Sequence, residues 1–155
     1  MNVQKIYFDM DGTIADLYGV EDWENKLVSH NVTPYQEAAP LCDMHALNEV
    51  CEKLKTMGIV IGVISWLAIG STKVYDKETR KAKKEWIKNN LPCVSEIHLL
   101  KYGSPKHHAC KIKDDAIIVD DSDAVRAKWT RGETINPICE NIVEKLSKIY
   151  TEEAA

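Results

Sequence analysis

The fold is decided by Val3-Gln4-Lys5-Ile6-Tyr7-Phe8-Asp9-Met10-Asp11-Gly12-Thr13, close to the amino terminus. The first half of this stretch is short, apolar and rich in residues that favour β structure, so it predicts a buried strand. Asp9 and Asp11 follow directly at the carboxyl end of that strand, and Gly12 permits a sharp turn away from the sheet. The stretch therefore predicts two carboxylates presented at a strand tip.

A second acidic pair ends another predicted strand far along the chain. Residues 116–119 are continuously apolar, and Asp120 and Asp121 follow them. If the two strands are parallel neighbours in an open sheet, all of these carboxylates meet at the crevice where such sheets bind ligands. Two like charges ~4 Å apart repel by roughly 4 kcal/mol at an effective dielectric constant of 20. The arrangement favours a bound divalent cation and indicates phosphate chemistry.

Length and composition predict one domain that spans residues 1–155. The chain has 155 residues, of which 45% are apolar, enough for one core but not for a second full domain. The net charge is -4, so no global positive field attracts nucleic acid. The five cysteines lack a Cys-x-x-Cys pair, and no stretch has the character of a secretion signal or a membrane span. We expect reduced thiols in a cytoplasmic protein that does not enter a membrane.

Strands and helices alternate along the chain, which predicts an α/β fold with a doubly wound, mostly parallel sheet. Residues 17–41 are irregular and are predicted to form a short insert, with a helix near 21–29 and a break at Pro34. The basic helix 77–90 is predicted to open at Asp76 and to expose its lysines on a solvated face. The other predicted strands are 59–64, 96–100 and 133–136. One predicted helix is capped by Asp43 and ended by Gly58, and three more span 104–111, 122–129 and 138–150.

Four sequence elements, in order, resemble the signature of the haloacid dehalogenase-like (HAD) superfamily of phosphohydrolases. That signature has an Asp-x-Asp-x-Thr or Val after the first strand, a Ser or Thr after the second, a later Lys, and an acidic pair after the fourth. The Lys is assigned to Lys106, which follows Pro105 at a predicted helix start, rather than to Lys101 or Lys111. The matching residues here are Asp9 with Asp11, Ser65, Lys106, and Asp120 with Asp121.

The resemblance implies a Rossmann-like, HAD-type sheet with a small cap insert, and hydrolysis of a phosphomonoester through an aspartyl-phosphate. Asp9 would attack phosphorus, and Asp11 would serve first as acid and then as base, for which its surroundings must raise its pKa. Ser65 would donate a hydrogen bond to the phosphoryl oxygens. Lys106 would neutralise the charge on those oxygens and restrain Asp9.

The resemblance also implies a magnesium site. Asp9, Asp120 and the backbone carbonyl of Asp11 would hold Mg²⁺, a hard cation that takes oxygen ligands and keeps several waters. Asp121 would lie in the second shell and support Lys106 or a metal-bound water.

Two further stretches resemble the 5'(3')-deoxyribonucleotidase branch of the superfamily, which implies a small phosphorylated substrate, a nucleoside monophosphate. The insert is shorter than the helical cap of that branch, which leaves the site more open. Aromatic residues near it could still stack on a base, each such contact being worth roughly 1–3 kcal/mol. The stretches are Lys83-Lys84-Glu85-Trp86-Ile87 with Leu91-Pro92, and Asp120-Asp121-Ser122 with Trp129, Gly132 and Ile135, and the aromatic residues are Tyr18, Trp23, Tyr35 and Trp66.

Other interpretations stay open at this point. The substrate could be a sugar phosphate, a phosphorylated protein or a polynucleotide end. The pocket could also belong to a module that binds a metal or phosphate without turnover. The oligomeric state is not predicted by the sequence.

Overall fold

A computed structural model describes residues 2–155 of the chain. Helices and strands alternate through most of it, and two 3₁₀ turns, Leu17–Gly19 and Lys106–Ala109, complete the set of elements. The strands are β1 (Lys5–Phe8), β2 (Ala15–Asp16), β3 (Ala39–Pro40), β4 (Val60–Trp66), β5 (Glu96–Leu100), β6 (Ala116–Val119) and β7 (Thr134–Ile135). The α-helices are α1 (Trp23–Val28), α2 (Thr33–Glu37), α3 (Met44–Thr56), α4 (Lys73–Asn90), α5 (Asp123–Lys128) and α6 (Ile142–Ala154).

Five strands form a parallel sheet in the order β5-β4-β1-β6-β7. The chain runs outward from β1 to β4 and β5, and then returns across the sheet to β6 and β7 on the other side. The predicted α/β, doubly wound fold is confirmed. The order reverses between β1 and β6, which is where open α/β sheets bind ligands.

β1 and β6 are direct neighbours, with Phe8 paired to Val119. Because these are the last residues of both strands, Asp9 and Asp120 follow paired positions at the same edge of the sheet. The predicted meeting of the two acidic pairs therefore follows from this register.

Alternate residues of the central strands face two apolar layers. One layer includes Ile6, Phe8, Ile117 and Val119 and packs with residues of α3, α4 and α6. The other layer includes Tyr7, Ile64, Cys110, Ala116, Ile118 and Trp129. The side chains of Trp86 and Trp129 are both buried in these layers. Strands covered on both faces read as continuous apolar runs, as they do here.

Three predicted helix boundaries differ from the structure for reasons of capping. Helix α4 begins at Lys73 rather than after Asp76, because the Thr72 hydroxyl accepts a hydrogen bond from the N–H of Tyr75. Helix α6 begins at Ile142 rather than at 138, because Asn141 caps it. Pro34 opens α2 instead of breaking a helix, since proline fits the first helical turn.

Strand β4 is longer than predicted and runs to Trp66. Ser65 therefore lies inside the strand rather than after it. Helix α3 follows the prediction closely: the Asp43 side chain accepts from the N–H of Ala46, and Gly58 lies just beyond the helix end with a positive φ.

The cap segment, defined here as residues 17–41, contains a 3₁₀ turn, α1 and α2. Two buried side chains of α4 form hydrogen bonds with this segment. The indole Nε1 of Trp86 donates to the carbonyl of Ala38 at 2.7 Å, and the hydroxyl of Tyr75 donates to the carbonyl of Asn31 at 2.9 Å. Helix α4 thus supports the segment from one side.

Among the helices formed by residues 2–155, none combines the length and the apolar character that a bilayer span requires.

The close approach of β1 and β4 depends on Gly62. A Cβ at this position would lie 2.6 Å from the Tyr7 ring, whose hydroxyl donates to Glu96 Oε2 at 2.7 Å. We expect Gly62→Ala to lower the free energy of unfolding by about 1–3 kcal/mol, because the added methyl displaces the ring. Tyr7→Phe keeps the ring and should cost about 1 kcal/mol. Urea unfolding measures both, and a loss in Gly62→Ala no larger than in Tyr7→Phe would contradict the close packing.

Candidate active site

The turn after β1 holds the first acidic pair in place. The N–H of Asp9 donates to the carbonyl of Val119 at 2.9 Å, and the carbonyl of Met10 accepts N–H groups from three following residues at 3.0 Å each. Gly12 lies in this turn with a φ of +80°, and a Cβ there would lie 2.6 Å from Asp121 Oδ2. Glycine is therefore required both by the turn and by the approach of the second acidic pair.

Three carboxylates meet at the switch point of the sheet. Asp9, Asp120 and Asp121 each offer an oxygen, and these oxygens all lie within 4.8 Å of one another. The hydroxyl Oγ1 of Thr13 lies 3.2 Å from Asp9 Oδ2 and 3.1 Å from Asp121 Oδ1, and it accepts from the N–H of Asp121. Thr13 thus ties the two acidic pairs together. Asp121, expected in a second shell, stands in the same group as the other two.

Lys106 bridges two of these carboxylates. Its Nζ donates to Asp9 Oδ1 at 2.8 Å and to Asp120 Oδ2 at 2.6 Å, and its side chain is almost fully buried. Burial lowers the pKa of Lys106, but the negative charges of Asp9 and Asp120 outweigh it and raise the pKa above its usual value. The ammonium therefore stays charged.

Asp120 and Asp121 both have raised pKa values. Burial and the charge of Asp9 raise the pKa of Asp120 to about 6, against the lowering effect of Lys106. Burial and Asp9 likewise raise the pKa of Asp121 to about 6. Burial and the neighbouring acidic charge therefore disfavour the ionised form of both groups.

The donor set fits Mg²⁺. Carboxylate oxygens are hard ligands of the kind that this cation prefers, and those of Asp9, Asp120 and Asp121 converge. Together with Asp11, these groups carry two more negative charges than Lys83 and Lys106 offset when all are ionised. A divalent cation would match that excess.

Asp11 is paired with a lysine that the sequence analysis placed in solvent. Lys83 of α4 has no exposed surface, and its Nζ donates to Asp11 Oδ2, Ser65 Oγ and the carbonyl of Trp66, each at 2.8 Å. The ring of Tyr35 covers the ammonium at 4.8 Å from the ring centroid. The expectation that Lys83 lies on the solvated basic face of helix 77–90 is therefore wrong.

A signal for Lys83 was present in the helical spacing. The buried positions of α4 form one stripe, and Lys83 lies four residues after Thr79 and three before Trp86 within it. The high density of lysines and arginines on the rest of the helix masked this position. A lysine in register with apolar residues needs a buried acceptor.

Asp11 has the pKa direction that acid catalysis requires. Burial raises the pKa of Asp11, Lys83 lowers it, and the charge of Asp9 raises it again, with a net increase above the usual value. The Asp11 side chain is about one-fifth exposed, at 19%. It also contributes to the cavity wall described next, so its carboxyl group can reach a bound molecule.

A cavity of about 420 Å³ opens beside these acidic residues. Asp9, Asp11, Lys106, Asp120 and Asp121 form its polar end. Most of the remaining wall comes from the cap segment and from the end of β4 with the loop after it, and Tyr102, Ser122 and Val125 complete it. The four aromatic residues predicted to contact a substrate all line it, and a fifth, Tyr102, was not predicted: the set is Tyr18, Trp23, Tyr35, Trp66 and Tyr102.

Ser65 lies one layer behind the cavity. It is fully buried, its Oγ accepts from Lys83, and it is not among the described residues that line the cavity wall. The structure therefore brings Ser65 to Lys83 and Asp11.

No protein-family model matches the sequence, and no curated protein matches it either. Solved structures that are similar to the chain include two phosphatases. D,D-heptose 1,7-bisphosphate phosphatase from Burkholderia thailandensis shares 17% sequence identity, with a TM-score of 0.50 over 84% of this chain and 74% of that one. 3-deoxy-D-manno-octulosonate 8-phosphate phosphatase from Moraxella catarrhalis shares 12%, with a TM-score of 0.47 over 97% of this chain and 87% of that one. The first similarity establishes a shared fold.

The raised pKa values predict how the metal-free protein responds to pH. Since the pKa of Asp120 rises from 3.8 to about 6 on folding, the folded state holds this proton more tightly. Its stabilising effect is present below the unfolded pKa and is lost as pH rises to the folded pKa. Between about pH 4 and pH 7, the midpoint of thermal unfolding of the wild type should therefore fall relative to that of Asp120→Asn. Millimolar Mg²⁺ at neutral pH should raise the wild-type midpoint most.

Circular dichroism melts with a chelator and with Mg²⁺ measure both effects. Parallel pH profiles for the two proteins, or equal stabilisation by Mg²⁺, would remove Asp120 from the metal-binding group.

Proposed function

We propose that this chain is a magnesium-dependent phosphomonoester hydrolase of the HAD type that acts on a nucleoside monophosphate. The observation that carries the proposal is the convergence of Asp9, Asp120 and Asp121 with Lys106 at the switch point of a parallel sheet. A carboxylate nucleophile beside a buried cation suits phosphoryl transfer, which depends mainly on positioning and charge stabilisation. The phosphatase from Burkholderia thailandensis, which has the same fold, adds support for the reaction class.

In the first step, an oxygen of Asp9 attacks phosphorus and the bond from phosphorus to the leaving oxygen breaks. Asp11 gives its proton to that oxygen, so the product departs as an alcohol. The ammonium of Lys106, 2.8 Å from Asp9 Oδ1, restrains the nucleophile and offsets charge on the phosphoryl group.

In the second step, the ionised Asp11 takes a proton from water. The water oxygen attacks phosphorus, the bond to Asp9 breaks, and phosphate leaves with the carboxylate restored. A raised pKa allows one carboxyl group to serve as acid and then as base near neutral pH.

Asp9, Asp120 and the backbone carbonyl of Asp11 would hold Mg²⁺, with Asp121 beside them. When bound, the cation supplies positive charge that offsets the phosphoryl oxygens.

The cavity wall favours a leaving group that carries a nucleobase. Tyr18 and Trp23 meet edge to face with ring centroids 4.9 Å apart, and Trp66 and Tyr102 lie 5.2 Å apart. Such rings offer flat apolar surface on which a nucleobase can stack. A sugar phosphate is the second candidate substrate, favoured by the heptose bisphosphate named for the structure of the same fold.

Asp9→Asn should abolish phosphate release from p-nitrophenyl phosphate in the presence of Mg²⁺, because an amide is a poor nucleophile. A loss of at least about 10³-fold in kcat is expected, given the size of such effects in covalent catalysis. Asp123→Asn, an exposed acidic residue in the first turn of α5, is the matched control and should keep wild-type activity. Full activity in Asp9→Asn would exclude covalent catalysis by this residue.

A substrate panel tests the nucleotide assignment. We expect deoxynucleoside and ribonucleoside monophosphates to be hydrolysed with higher kcat/KM than heptose or hexose phosphates. Trp23→Leu should raise KM for the best nucleotide by about 5-fold to 100-fold, since one stacking contact is worth roughly 1–3 kcal/mol. The same change should leave KM for a small sugar phosphate nearly unaltered. Preference for sugar phosphates, with no differential effect of Trp23→Leu, would favour the second candidate.

A further inference from the structure

Lys83 is the one fully buried lysine in the described part of the chain, and the steps above give it no role. Its Nζ has three acceptors at 2.8 Å: a carboxylate oxygen of Asp11, the hydroxyl oxygen of Ser65 and the carbonyl oxygen of Trp66. A neutral amine has two N–H groups, whereas an ammonium has three. The contacts therefore use every donor of the charged form.

These three contacts fix the ammonium in space. Two of them lie on β4, which is a central strand of the sheet, and the third lies on the turn that follows β1. The Tyr35 ring closes the remaining side at 4.8 Å. Desolvating a lone ammonium is very costly, so the site is built around a paired charge. Asp11 supplies that negative charge when it is ionised, and when it is protonated its Oδ2 can still accept from the ammonium while the other oxygen carries the proton.

Lys83 and Asp11 differ in their access to the cavity. Asp11 lines it, whereas Lys83 and Ser65 lie behind it and are not part of its wall. A bound molecule would thus touch Asp11 and would not touch Lys83. Any effect of Lys83 on the reaction must pass through Asp11.

We propose that Lys83 is a positioning residue for Asp11, the acid of the reaction. Lys83 is anchored to β4 and holds Asp11 Oδ2, so that the other carboxyl oxygen of Asp11 points at the leaving-group oxygen. The inference rests on the proposed function and deepens it. A rigid carboxyl group contributes to proton transfer only when it lies within hydrogen-bond reach of the proton acceptor.

Ser65 has a defined part in this arrangement. Because its oxygen accepts from Lys83, its own proton points elsewhere, and its oxygen serves as an anchor for the lysine. This accounts for a buried serine within a strand at this position.

The competing explanation is that Lys83 only fastens α4 to the sheet. The two explanations differ in how the loss depends on the leaving group. Poor leaving groups need a proton in the transition state, whereas good ones depart without it. Loss of acid positioning therefore slows poor leaving groups selectively, while loosened packing slows all of them alike.

The experiment measures kcat/KM for a series of substituted phenyl phosphates, from 2,4-dinitrophenyl to unsubstituted phenyl phosphate, with Mg²⁺ present. For Lys83→Met, we expect a loss of about 100-fold or more with phenyl phosphate and of less than about 5-fold with the dinitrophenyl ester, in line with the usual size of acid catalysis. Lys84→Met makes the same chemical change at the next, exposed residue and should match the wild type.

A double-mutant cycle isolates the coupling. Asp11→Asn alone should show the same selective loss, and adding Lys83→Met to it should cost less than about 3-fold more, because both changes remove one function. Circular dichroism verifies the fold of each variant. If Lys83→Met does not fold, Lys83→Arg keeps the charge and should show a smaller loss with the same selectivity.

Four results would overturn the inference. Equal losses across the phenyl series, or additive effects with Asp11→Asn, would leave Lys83 as a structural fastener in an active phosphatase. Unchanged rates in Lys83→Met would remove any role. A wild-type protein inactive on the whole series would instead reject the proposed function, and the inference with it.

Discussion

The rest of the structure depends on the gathering of acidic groups at one edge of a sheet, where their mutual repulsion must be offset. Carboxylates follow the last residues of β1 and β6, which are direct neighbours in the sheet and are mostly buried. The pairing of these strands therefore keeps the carboxylates close together. Two lysines from distant parts of the chain, Lys83 and Lys106, reach this edge and are themselves almost fully buried there. Their pairing removes part of the repulsion and divides the acidic groups into two sets. Lys106 serves Asp9 and Asp120, and Lys83 serves Asp11 alone.

This division would give similar carboxyl groups the different tasks that the proposed function assigns to them. Asp9 is held at both oxygens, by Lys106 and Thr13, which suits a group that must attack in one direction. Asp11 is held at one oxygen, and its raised pKa lets it exchange a proton. Environment and anchoring set the roles, since the side chains are chemically identical. Burial of the apolar layers on both faces of the sheet stabilises the fold and offsets the unfavourable free energy of the acidic groups gathered at this edge.

Sequence reasoning located the strand-end acidic residues because their position is a local property. An apolar run followed by an acidic pair marks both a strand and its end, and a parallel sheet brings such ends together. The helix starts at Lys73 and Ile142 were missed, since Thr72 and Asn141 look like ordinary loop residues until a cap forms. The helical spacing placed Lys83 in the buried stripe of α4, but its partner Asp11 lies 72 positions away, and no local pattern specifies that contact.

Tyr35 lies between the cavity and the pair formed by Lys83 and Asp11. Its ring lies over the Lys83 ammonium, and the same side chain contributes to the cavity wall. Burial and the charge of Asp11 raise the pKa of Tyr35, so the phenol stays neutral and presents its π face to the cation. Helix α2 of the cap segment therefore contributes one side chain both to the wall of the cavity and to the surroundings of Lys83.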